Sequence, residues 1–275
     1  MNQFDIEHTL LGKSTAYPDQ YDVSCLQAIP RQAQDAVWRQ SDRLPFYGAD
    51  VWNMFEVSWL QPSGQPCVAL ATCVVPCESP NLIESKSMKL YFNGLNQACF
   101  PDAAAVRQVI QQDLSAVVGA SVDVALHALS APHLTLHSGA LGVCLDELSV
   151  PMTAYVVSPT DLTVVPNSQV TETVYTDCFR SLCLATGQPD WATVTVSYTG
   201  TQITHASLLR YLIGYRQHRE FHEHCVERIF YDLLTQCHPT QLTVSARFTR
   251  RGGIDINPTR STHPVTIQNH RLIRQ

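Results

Sequence analysis

Cys183 and Asp190 stand seven residues apart in SLCLATGQPDW, across a Gly-Pro turn that can return both side chains to one place. A thiol attacks as its thiolate, and a carboxyl raised in pKa by partial burial can exchange the proton that such chemistry needs. A core cysteine beside a turn aspartate would leave the same letters, so spacing alone keeps both readings open. The second pair is His222-Glu223, at the start of the helical pattern FHEHCVERIFYDLLTQC. Exposed backbone N–H groups at a helix amino terminus favour polar ligands there, although a histidine and an acid can equally be first-turn residues answering the helix dipole. His224 completes an HEH triplet that mimics a metal site. Successive helical residues diverge by about 100°, which turns His222 and His224 apart and argues against chelation.

The third feature is a contrast of charge. The chain has 275 residues, 18 Lys+Arg and 24 Asp+Glu, for a net charge of −6. This gives no electrostatic support to direct nucleic-acid binding. Only Lys13, Lys86 and Lys89 are lysines, and two of them fall in ESKSMK, Glu84 to Lys89. From Arg247 onward there are six arginines against one acid, Asp255. Each segment reads as a solvated surface or as an anion site such as a cofactor phosphate.

The ten cysteines contain no CxxC pair, so a structural zinc clamp is not expected and most read as small buried hydrophobes. SLCLATG lacks the CGSCW pattern of papain-like proteases. Gly252-Gly253 lacks the GxGxxG spacing of a Rossmann dinucleotide fold. No run approaches the roughly 18 apolar residues of a membrane helix, and MNQFDIEHTLLGKS has no basic head and apolar stretch of a signal peptide; a cytoplasmic protein is the expectation.

The elements that position these residues follow from a duplication. GQPCVALATCVV from Gly64 matches GQPDWATVTVSY from Gly187 at an offset of 123, while Ser87, Tyr91, Gly94 and Gln97 match Ser207, Tyr211, Gly214 and Gln217 at 120. The reading is an arm over 1–40, one module over 41–150 and a second over 151–275. Residues 51–60 and 67–76 flank the turn PSGQ as a hairpin, with a similar one ending at 191–199. Asp102 opens a helix with apolar Val106, Val109, Ile110, Leu114 and Val117, and Phe221, Cys225, Ile229 and Leu233 form the corresponding stripe. Strand patterns SVDVALHAL and QLTVSARFT follow. Two strands, two helices and two strands per module give an α+β fold with helices on one face of an antiparallel sheet. In this alignment Leu60 stands opposite Cys183, Cys67 opposite Asp190, and Thr204, His205 and Ala206 opposite Glu84, Ser85 and Lys86. Modules that carry different halves of a polar set suggest one site built between them.

Taken together, ESKSMKLYFNGLNQ, CLATGQPDW, FHEHCVERIFYDLL and RRGGIDINPTR resemble the two-module type of 7-cyano-7-deazaguanine reductase, the NADPH-dependent nitrile reductases of queuosine biosynthesis, a tRNA modification pathway. The resemblance covers nearly the whole chain, and it implies tandem tunnelling-fold (T-fold) modules assembled as a homodimer. It also implies NADPH as co-substrate and no direct binding of nucleic acid or membrane. Cys183 matches the nucleophile that forms a covalent thioimide with the nitrile, and Asp190 the acid that protonates the nitrogen. His222 and Glu223 match the substrate-binding pair, with His222 also at the chemistry, and Trp191 and Phe221 are expected as aromatic walls. Ile83, Glu84 and Ser85 match the other wall, and Ser85, Lys86, Arg251 and Gly252 match NADPH positions. Leu182 departs from the Asn that many relatives carry, and Cys178 is the nearest thiol for a protective disulfide. The alternative is a GTP cyclohydrolase-like hydrolase with zinc-activated water, for which Cys183, His222 and Cys225 would be ligands; it leaves ESKSMK and Asp190 unexplained. A third reading, a non-catalytic purine-binding descendant, requires an inert Cys183.

Overall fold

The computed structural model describes residues 17–275 apart from 34–36, 41–42, 131–134 and 138. The first sixteen residues of the expected arm, with Lys13 and the amino-terminal peptide, lie outside the described residues. The chain divides into two compact units. Unit 1 holds residues 1–44, 50–134 and 250–256, and unit 2 holds 45–49, 135–249 and 257–275.

In unit 1 the elements are β1 (Ala28–Pro30), β2 (Tyr47–Leu60, its first residues in unit 2), β3 (Pro66–Pro76), β4 (Asn81–Ile83), α1 (Ser85–Leu95), α2 (Ala103–Val118) and β5 (Asp123–His127). The strand order is β5-β3-β2, with β3 and β5 antiparallel, and β1 pairs with β4. Asp102 starts α2 by accepting the Ala105 N–H at 2.8 Å, and Gly119 stops it in the left-handed conformation. Val106, Ile110, Leu114 and Val118 are fully buried at helical spacing, each worth roughly 1.5–3 kcal/mol relative to exposure. They pack with Met54, Ala71, Met88 and Tyr91 in one core. The expected Val109 and Val117 are only partly buried, because the stripe drifts round the helix to Val118.

In unit 2 the elements are β6 (Thr135–His137), β7 (Val143–Cys144), β8 (Val164–Leu182), β9 (Pro189–Ile203), α3 (His205–Ile213), α4 (His222–Cys237), β10 (Gln241–Phe248), β11 (Ile254–Ser261, its first residues in unit 1) and β12 (His270–Leu272). The order is β11-β10-β9-β8-β7, antiparallel except for β7 on β8. From β8 to β11 this is the expected two strands, two helices, two strands. The class is α+β.

The repeated residues do the same work twice. Tyr91 donates to Asp113 at 2.7 Å, tying α1 to α2, and Tyr211 donates to Asp232 at 2.6 Å, tying α3 to α4. Ser87 donates to the Glu84 carbonyl at 2.7 Å and accepts the Gln27 N–H at 3.0 Å. Ser207 donates to the Thr204 carbonyl at 2.8 Å and accepts the Thr163 N–H at 3.1 Å. Gly94 and Gly214 are helical, so conformational freedom is not their reason. A Cβ would lie 2.7 Å from the Gln20 carbonyl oxygen at Gly94 and 2.5 Å from that of Val156 at Gly214. Each pairs its first helix with a preceding backbone segment that leaves no room for a side chain.

One correction to the aligned halves follows from the hairpin ends. Leu60 donates its N–H to Ala98 and accepts from Phe100, as Leu182 does with His218 and Glu220. The Gln61 N–H then reaches the Gln65 carbonyl at 2.9 Å, as that of Cys183 reaches Gln188 at 2.8 Å. The counterpart of Cys183 is therefore Gln61 and not Leu60, because the loop of unit 2 is one residue longer between this position and the shared glycine.

Acid should loosen the β6–β12 pairing. The His270 imidazole is pushed down to about 4, first by burial and then by Arg247 and His137. A depressed folded-state pKa contributes stability above the unfolded value near 6.5, lost as pH falls from there toward 4. Thermal melts across that window should show an acid-side loss in the wild type that is smaller in His270→Gln. Equal losses in both would contradict this assignment.

Candidate active site

The hairpin between β8 and β9 brings Cys183 and Asp190 to one face near its turn. Leu182 pairs with Pro189 and Ser181 with Asp190, and the loop closes through Cys183 N–H to Gln188 and Gly187 N–H to Cys183. Alternation places Cys183, two residues after Ser181, on the face that carries Asp190. The corresponding pair in unit 1, Gln61 and Cys67, touches at 3.0 Å, so this hairpin geometry joins the two positions. Cys183 is 8% exposed and Asp190 4%.

His222 begins α4 and sets Nε2 3.3 Å from Asp190 Oδ2. Its Nδ1 is buried and makes no hydrogen bond. The ring lies flat on Phe248, with centroids 3.9 Å apart and planes 13° off parallel. Glu223, the next residue, is 3% exposed. Phe221 stands at the N-cap without a side-chain cap bond.

Glu220 is a residue the sequence reading missed. Burial raises its pKa, but His218 at 2.8 Å and the Arg228 fork at 3.1 Å on both arms outweigh this and hold the carboxyl below its ordinary value. This ionised anchor fixes the segment just before His222, while the Leu182 backbone bonds to 218 and 220 fix it beside Cys183. Cys225 is fully buried and its thiol is pushed well up by desolvation, which makes it an inert core group. Cys178 is exposed, at a bulge of β8. Among the described residues no three His, Cys, Asp or Glu side chains gather as a metal-ligating group.

The structure does not bring Trp191 to this face. As the neighbour of Asp190 in a strand it points to the opposite side, where the guanidinium carbons of Arg180, Arg216 and Arg274 lie 5.3–5.6 Å from its ring. Phe248 and Phe179 lie on the Asp190 side, both level with Ala192.

Unit 1 carries the other residues singled out. Ile83 is buried, and Glu84 is the N-cap of α1, accepting the N–H groups of Lys86 and Ser87 at 2.7 Å each. Burial raises the Glu84 carboxyl, and those two bonds oppose the shift. Glu84 therefore occupies the first N–H groups of α1. Arg251 and Ile254 close a tight turn with Gly252 and Gly253 at φ of 58° and 73°. A Cβ on Gly252 would press on Lys89 at 3.0 Å. Lys89 lies against Gly252 and the Glu56 carboxylate against Gly253, with Arg250 and Arg251 leading into the turn.

Similarity to known proteins agrees with the residues. The family described as nitrile reductase, 7-cyano-7-deazaguanine-reductase N-term, matches residues 17–126, and the family described as QueF-like protein matches residues 189–266. The NADPH-dependent 7-cyano-7-deazaguanine reductase of Azoarcus sp. (strain BH72) is 48% identical over 257 residues, covering 93% of this chain and 91% of that protein. Its namesake from Polaromonas sp. is 48% identical with 98% of each chain covered. That of Legionella pneumophila (strain Corby) is 46% identical, covering 96% and 94%. With identity of this order over nearly the full length of both partners, the chain belongs to the 7-cyano-7-deazaguanine reductase family.

Proposed function

We propose that the chain reduces the nitrile of 7-cyano-7-deazaguanine to an aminomethyl group, with Cys183 as nucleophile and Asp190 as acid. The observation that carries this reading is one buried face on which the hairpin register sets Cys183 with Asp190 and the α4 terminus adds His222. The Cys183 sulfur adds to the nitrile carbon, forming the C–S bond while one C≡N π bond breaks, and Asp190 delivers a proton to the nitrogen. The thioimide is a far better hydride acceptor than the nitrile. NADPH, when bound, supplies two hydrides in turn, one before and one after the sulfur leaves. His222 holds Asp190 through Nε2. Burial of Cys183 and Asp190 excludes the water that would hydrolyse an imine.

Glu223 accepts the donors on the guanine-like edge as a carboxylate fork, with Phe221 beside it. In unit 1, Ile83, Glu84 and Ser85 are assigned to substrate and Ser85, Lys86, Arg251 and Gly252 to NADPH, on the family resemblance and the local cations. A homodimer is part of the same reading. No helix among the described residues is long and apolar enough to cross a membrane.

Intact mass tests the first step: protein incubated with the nitrile and no NADPH should gain one substrate mass, mapped to Cys183. Persistence of the unmodified mass would overturn it. Glu223→Ala should lower kcat/KM for the nitrile roughly 10- to 150-fold, the worth of a charged hydrogen bond, with the KM for NADPH little changed. Steady-state kinetics at saturating NADPH reads this out, and an unchanged kcat/KM would remove Glu223 from the substrate site.

A further inference from the structure

We infer that Phe248 is the positioning residue for His222, a role that rests on the proposed work of Asp190 and His222 on the nitrile. Phe248 ends β10 opposite Ala192, two residues along β9 from Asp190 and on the same face. One rigid strand pair therefore carries both the partner of the imidazole and the surface under it. With centroids 3.9 Å apart and planes at 13°, the rings are in face contact. Rotation of the imidazole out of this plane about χ2 would drive its edge into the phenyl ring, so the contact holds the plane in which Nε2 meets Asp190 Oδ2. That orientation leaves Nδ1 buried without a hydrogen bond, an arrangement a free ring would relax by turning.

Phe248 is itself held from three sides. It is 1% exposed, and its ring meets Phe179 edge-on at 6.1 Å. Its carbonyl accepts the Gln275 side-chain N–H at 3.0 Å, and the same nitrogen donates to Asn257 at 2.7 Å. The next residue, Thr249, donates its N–H to Trp191 at 2.8 Å. The peptide unit that follows this ring is thus tied down at both its carbonyl and its N–H. A flat ring is what the position needs, and an aliphatic side chain of similar volume would fill the space without defining an angle.

The test compares Phe248→Leu and Phe248→Tyr in the full chain. Phe248→Leu should lower kcat for nitrile reduction roughly 3- to 10-fold, the worth of one aromatic pair, with KM for NADPH unchanged. Phe248→Tyr, which keeps the plane, should restore most of it. A merely structural role would lower the melting temperature without the split between kcat and KM. Proton NMR of the imidazoles supplies a reading independent of turnover: the His222 ring protons should lie upfield through the Phe248 ring current, and move downfield in Phe248→Leu but not in Phe248→Tyr. Unmoved His222 resonances in Phe248→Leu, or a wild-type kcat in that variant, would overturn the inference while leaving nitrile reduction standing. A wild type that leaves the nitrile untouched but shows the upfield resonances would overturn the function and keep the ring contact.

Discussion

Cys183→Ala should abolish nitrile-dependent NADPH oxidation, by roughly four orders of magnitude or more, while leaving the protein folded. Loss of a nucleophile removes the covalent path altogether, and no neighbouring thiol can replace it. Cys225 is buried with its thiol pushed well up, and Cys178 is exposed at a bulge in β8, away from the loop that closes on Gln188. The folding cost is small because the loop is held by its backbone bonds, from Cys183 to Gln188 and from Gly187 to Cys183, which alanine keeps. Turnover per folded protein, with circular dichroism and melting temperature as controls, reads this out. Retention of even a tenth of the activity would show that Cys183 is not the nucleophile.

The largest stability effect should come from Glu227→Ala. Glu227 and Arg260 are both fully buried, joined at 2.7 Å from Nη2 and 3.2 Å from Nε, and Arg260 also donates to the Thr259 carbonyl at 3.0 Å. Removing the carboxylate strands a buried guanidinium, which costs about 3–5 kcal/mol. Glu227 lies one turn along α4 from Glu223, so the pair pins to β11 the helix whose first turn carries His222 and Glu223. Urea unfolding should therefore show a large fall in midpoint for Glu227→Ala. The double change Glu227→Met with Arg260→Leu should recover most of it, because a packed apolar pair carries no stranded charge. A near-wild-type midpoint in the single variant would contradict this.

Much of the fold was legible because duplication marks constrained positions. Ser87, Tyr91 and Gly94 recur as Ser207, Tyr211 and Gly214, and each pair proves to serve one local need: a strap bond, a helix–helix lock and a close backbone approach. The Cys183–Asp190 spacing was legible because a short hairpin fixes which residues share a face. The one-residue difference between the two hairpin loops was not, since matching letters carry no record of which backbone groups pair. Trp191 illustrates a second limit. The family resemblance offers it as a wall of the pocket, but strand alternation points it away from the face that carries Asp190. Phe248 and Gln275 were invisible for a third reason: each matters through partners eighteen or more residues away, and no local pattern distinguishes such a residue from core or surface. Glu84 was found, but for ligand contact, while its oxygens visibly serve the α1 cap.

The central claim is nitrile reduction, and the most direct measurement is an anaerobic assay of the purified chain with 7-cyano-7-deazaguanine and NADPH, following nicotinamide absorbance and product mass together. Two NADPH should be oxidised per nitrile consumed, with the aminomethyl compound as product. Oxidation of no NADPH, or conversion of the nitrile without it, would contradict the account.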